Sequence, residues 1–144
     1  MANIVPDSFK TDLLGGVFDF DSSGGSTFKL ALYSNITGFS TSTTAYTTSN
    51  EVSSSGTNYT AGGNTLTNNG VAIASNIGYV DFADLTFSSV TLSAVGALIY
   101  KSSSGNEAVL VLDFGGTKTA TNGDFVVQFP TANSSSAIIR LGDA

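Results

Sequence analysis

Apolar residues in this chain recur at a spacing of two, in short runs set between clusters of Gly, Ser, Thr and Asn. Such alternation sends successive side chains to opposite faces and predicts half-buried β-strands. Residues 27–33 are the first example, with Phe28, Leu30 and Leu32 on one face. Val71 and Ile73 alternate next, residues 77–82 form a strand, and Leu85-Thr86-Phe87 opens another segment. Gly96-Ala97-Leu98-Ile99-Tyr100 is almost continuously apolar, as a strand buried on both faces would be. The loop 102–106 joins it to the apolar run 108–114, and the pair predicts a β-hairpin. Gly115-Gly116 and Asn122-Gly123 are expected to bracket the next connection. Residues 124–129 form a strand stopped by Pro130, and residues 137–141 form the closing strand.

Helical spacing occurs only near the N-terminus, at Phe9, Leu13 and Leu14. Pro6 sits at the entry, Asp7 or Ser8 is positioned to cap, and Gly15-Gly16 supplies a left-handed stop. About two turns of helix are marginal alone, so the segment must dock, either on its own domain or on a neighbour as an arm. Residues 34–69 form a polar tract rich in Ser and Thr, with the turn Ala61-Gly62-Gly63-Asn64. Its spaced aromatics Phe39, Tyr46 and Tyr59 predict a folded loop with short strands in place of a disordered linker. Short strands with turn signals between them and no intervening helices define an all-β fold, an antiparallel β-sandwich or jelly roll. Residues 1–16 are read as an N-terminal arm with a short helix, and residues 17–144 as a single sandwich domain.

Composition narrows the chemistry. The 144 residues include no His, Cys or Trp, and 11% are charged, against about a quarter in an ordinary soluble domain. Without His and Cys there is no disulfide framework, no ordinary zinc site and no Ser-His-Asp or Cys-His triad. The net charge of −6, with five cations in all, argues against nucleic acid as a partner. No apolar run reaches the ~18–20 residues of a transmembrane helix, so no membrane partner is expected. Residues 1–10 lack a basic region followed by an apolar stretch, so no export signal is expected. A mean hydropathy of +0.20 fits either a filled core beneath a neutral coat or apolar surface buried against other subunits. We favour the second.

Candidate chemical groups are few. Asp19 and Asp21 form an alternate pair that could hold a divalent cation with hydroxyl and carbonyl oxygens, although a solvated edge running into a turn explains them better. Asp84 reads as a turn acceptor. Asp81 and Asp113 could serve as a glycosidase pair only if the fold set their separation. The glycine pairs at 15–16, 24–25, 62–63 and 115–116 match no phosphate-binding pattern and read as turns. The sequons at Asn35, Asn58 and Asn133 are expected by chance in so Ser/Thr-rich a chain. Tyr33, Tyr46, Tyr59, Tyr79 and Tyr100 could form a sugar-stacking platform, but core or interface packing suits most of them better. No catalytic residue, cofactor or metal site is expected.

Several segments together resemble a group of small tailed-phage virion proteins. They are residues 1–10 with Leu13-Leu14, 28–33, 43–47, 50–52, 56–65, 80–84, 96–100, 111–115 and 125–130. The resemblance implies a non-enzymatic virion component, a head decoration (cement) protein on the outer capsid surface with the major capsid protein of the same phage as partner. It implies a compact β domain in symmetric oligomers, and by analogy a homotrimer. It carries no catalytic residues. On this reading Ile4, Val5, Phe9, Leu13 and Leu14 form the capsid or subunit interface, and removing residues 1–14 is expected to abolish attachment while leaving the β domain folded. A tail or tail-fibre component and a carbohydrate-binding module are the competing readings.

Overall fold

The alternating segments form two antiparallel sheets in the computed structural model, which describes residues 2–142. Strands β1 (Phe28–Tyr33), β2 (Asn64–Thr65), β5 (Leu85–Lys101) and β6 (Ala108–Val127) make a sheet of order β2-β1-β5-β6. Strands β3 (Asn68–Ala74), β4 (Ile77–Phe82) and β7 (Ile139–Leu141) make a smaller sheet of order β3-β4-β7. With one short helix, α1 (Asp7–Leu14), this is the all-β sandwich that the pattern predicts. The closing strand is shorter than residues 137–141, beginning only at Ile139.

The expected connection between residues 115 and 123 is overturned. Gly115-Gly116 and Asn122-Gly123 do not bracket a connection, because β6 runs through both. They are irregularities within a long hairpin. Pairing advances by two residues on β5, from Ala94 to Gly96, and by five on β6, from Lys118 back to Asp113. The surplus residues make a bulge, and Gly115 and Gly116 occupy it with φ of 74° and 148°, a region that favours glycine. Bulges turn strands sharply. A straight strand would hold Phe114 and Phe125 roughly 36 Å apart, yet their ring centroids are 6.0 Å apart. The hairpin therefore bends back on itself. Its inner half (96–101 with 108–113) continues the β1 sheet, and its outer half (85–94 with 118–127) closes over the same core, making the corner of the sandwich.

The core follows from this bend. Phe28, Leu30 and Leu32 of β1 face Val80 and Phe82 of the small sheet and Phe87, Val90 and Leu92 of the outer hairpin. Phe20 and Phe28 stack with centroids 4.6 Å apart, and Phe82 meets Phe28 edge-on at 5.7 Å. The opposite face of the central strands is also covered. Ala31, Tyr33, Leu98, Tyr100 and Val111 are buried beneath Ile36 and Phe39 of the polar tract, so β1 and the apolar run at 96–100 are buried on both faces.

The N-terminal segment belongs to this body. Ile4 exchanges backbone hydrogen bonds with Val111, each 2.9 Å, and the Asp7 N–H donates to the Thr41 carbonyl. Phe9 is buried against Phe18 and Phe20, with centroids 5.1 and 6.2 Å away. Of the two dockings open to this segment, on its own domain or on a neighbour, the first is the one seen, because Phe9 lies in the common core. Neither Asp7 nor Ser8 caps α1: Pro6 holds the cap position without a side-chain bond, and Ser8 Oγ donates to the Thr43 carbonyl. The left-handed residue after the helix is Gly16.

Candidate functional site

The polar tract is ordered by one carboxylate. Glu51 Oε1 accepts hydrogen bonds from Tyr59 Oη at 2.8 Å and from the Gly62 N–H at 2.6 Å, and Oε2 accepts from Tyr46 Oη at 2.6 Å. Tyr100 Oη donates to the Gly62 carbonyl at 2.7 Å and stacks on Tyr46 with centroids 4.7 Å apart. Tyr33 Oη donates to the Thr47 carbonyl at 2.6 Å. Burial pushes all four hydroxyls above their ordinary pKa. At Tyr33 and Tyr100 the Glu51 charge adds to this, and at Tyr46 and Tyr59 the hydrogen bond to Glu51 does so as well. At Tyr59 the N–H of Leu32 pulls the other way.

Four of the five tyrosines are therefore internal struts. Tyr33, Tyr59 and Tyr100 are buried and present no ring platform to a sugar; Tyr46 is half-buried, with one ring face stacked on Tyr100.

The carboxylates singled out from the sequence are not brought together. Asp81 lies on β4 of the small sheet and accepts from Asn69 Nδ2. Asp113 lies on β6 of the large sheet, and the Gly115 N–H that it accepts holds its carboxyl below the usual range. Asp19 Oδ1 accepts the Asp21 N–H, closing a turn. Asp84 Oδ1 accepts the Phe129 N–H at 2.8 Å, tying the end of the hairpin to the β4–β5 link. Among the described residues no three acidic side chains converge in a way that would hold a metal ion.

What the surface does concentrate is apolar area. Leu14 is 82% exposed, Ile73 75%, Leu141 63%, Val71 58% and Val5 42%. These five line two adjoining depressions that share Leu13, Ile139 and Leu141. The first, about 450 Å³, lies between α1 and the small sheet; the second runs along α1 beside residues 137–142. Val126, the remaining exposed large apolar residue among those described, sits apart in the crook of the bent hairpin.

The five interface residues expected from the sequence thus divide. Ile4 and Phe9 are used within the chain, Leu13 is half-buried between the two depressions, and Val5 and Leu14 face outward. Sequence reasoning missed Val71, Ile73 and Leu141, whose alternation reads as that of any core-facing strand.

Neither the sequence nor the fold matches a family model, a curated protein or a solved structure.

Proposed function

We propose that this chain is a non-enzymatic virion structural protein: a capsid decoration protein that binds the outer shell of a tailed phage and bridges neighbouring capsomers. The observation that carries the reading is the preorganised N-terminal segment. Ile4 is bonded to β6 and Phe9 is locked in the core, so Val5 and Leu14 project from a fixed element beside Leu13. Docking such residues requires little further ordering of the chain, which is a large share of the cost of association. With 11% charged residues, the contact depends weakly on ionic strength. The resemblance to small phage virion proteins supplies the class of partner, the major capsid protein of the same particle.

Covering a leucine as exposed as Leu14 is worth about 2 kcal/mol. Leu14→Asp is therefore expected to weaken attachment by roughly thirtyfold or more. The test is a reconstruction of particles that carry the chain, with wild type and Leu14→Asp compared. Regular density over the outer head lattice, depleted in the variant, supports the proposal. Density confined to the tail, or none in the particle, refutes it.

A further inference from the structure

The small sheet is built as one face of a sandwich whose opposite face is partly missing. Its register puts Val71 opposite Val80, Ile73 opposite Gly78, Ile139 opposite Val80 and Leu141 opposite Gly78, so all of these share the face that carries Phe82. Coverage falls along that face. Phe82 and Val80 are buried by the body of the protein, Ile139 is half-buried, and Val71, Ile73 and Leu141 overhang it. The other face carries Ala72, Ala74, Ile77 and Tyr79 with both charged residues of the sheet, Asp81 and Arg140, so the face free of charge is the core-facing one, prolonged beyond the core.

We infer that the overhanging face of β3-β4-β7 packs against the same face of a second copy of this chain. A sheet face of this kind is satisfied by another apolar layer about 10 Å away, and a two-fold axis supplies one from an identical, self-complementary patch. Electrostatics do not oppose a second copy meeting here. The chain carries a net charge of −6, yet no charged residue occurs from Val52 to Val80, so two copies meet through β3 without apposing like charges. The area is adequate. Val71, Ile73 and Leu141 with their half-buried neighbours expose on the order of 400 Å² of apolar surface, which at the ~65% apolar content of homodimer contacts corresponds to about 1,200 Å² in total, the lower end of stable interfaces. Leu13 and Phe20 form the floor of the groove that receives Ile73 of the second copy.

The inference stands apart from the virion reading, because it is tested on the isolated full-length chain. Light scattering and sedimentation at micromolar concentration are expected to give twice the 14.7 kDa chain mass. Ile73→Lys places a cation in that groove and is expected to weaken association by roughly tenfold or more, with an unchanged circular dichroism spectrum because the side chain is exposed within one copy. Val126→Lys, in the hairpin crook, is expected to leave association intact. Should Ile73→Lys fail to fold, Ile73→Thr keeps the β-branched shape and is expected to weaken the dimer by a smaller factor. A single-copy mass for the wild type, a three-copy mass, or a dimer that survives the substitutions at residue 73 would overturn the inference.

Discussion

Tyr59→Phe removes one oxygen atom and should cost far more than its size suggests. Strand β2 is only two residues long and pairs with β1 at Lys29 and Leu30. Beyond it residues 50–52 flank the β1 edge, the Val52 N–H donating to the Leu32 carbonyl and the Ser34 N–H to the Asn50 carbonyl, whereas the Leu32 N–H, fully buried, donates to Tyr59 Oη at 3.0 Å. That hydroxyl in turn donates to Glu51. Removing it strands a buried backbone donor, at about 1–3 kcal/mol, and takes one of three donors from a carboxylate, at roughly another 1 kcal/mol or more. The ring and its 5.7 Å contact with Phe87 are retained, so little packing is lost. The expected destabilisation is about 2–4 kcal/mol. Urea unfolding followed by circular dichroism measures it, with the midpoint lowered and the slope unchanged. A loss below about 0.5 kcal/mol, within the range of unremarkable surface substitutions, would refute the view that this hydroxyl completes the sheet edge.

Other outcomes follow from the same contacts. The hydroxyls of Tyr33, Tyr46, Tyr59 and Tyr100 have folded pKa values raised above the unfolded value of 10.0, so the folded state holds protons that the unfolded state releases. Stability is fully present below about pH 10 and falls above it, chiefly through the buried Tyr33 and Tyr59; alkaline titration at 295 nm should show these phenols ionising at higher pH in the folded protein than in the unfolded chain. Phe9→Ala opens a cavity beside Phe18 and Phe20 and is expected to cost about 3–5 kcal/mol. Removal of residues 1–14 should accordingly lower the thermal midpoint of the β domain, and an unchanged midpoint would contradict the placement of Phe9 in the core. Gly115→Val forces a β-branched residue to the φ of 74° found there and is expected to destabilise by about 1–3 kcal/mol in chemical denaturation.

The strands were legible where burial is periodic. The alternation at Phe28, Leu30 and Leu32 and the apolar run at 96–100 express local rules, and the corresponding strands form. The corner at Gly115-Gly116 was not legible, because a glycine pair signals positive φ equally in a turn that ends a strand and in a bulge that bends one. Only the pairing with Ala94 and Gly96 distinguishes them. The cap at Asp7 or Ser8 failed for a related reason: Ser8 Oγ finds a carbonyl 35 residues away, and local sequence holds no trace of it. Tyr46 and Tyr59 likewise meet on Glu51, and Tyr100 on the Gly62 that Glu51 holds, without any spacing that signals convergence. At the candidate site, Leu14 was legible through the helical spacing that it shares with Phe9 and Leu13. Val71, Ile73 and Leu141 were hidden because alternation reports which face a side chain takes and not whether anything covers that face.

The bent hairpin also sets an order of assembly. Each pair added next to a formed pair in a hairpin closes almost no new loop, so zipping from the 102–107 turn is entropically cheap. The bulge between Asp113 and Lys118 interrupts that progression, and the outer half must find its register after a gap while also closing over Phe28 and Leu30. Folding is therefore expected to divide at the corner, the inner half with β1 forming a nucleus and the outer half condensing on it. Substitutions at Leu98 should then slow folding, whereas substitutions at Val90 should chiefly speed unfolding. One glycine pair acts as the clock of the sandwich as well as its elbow.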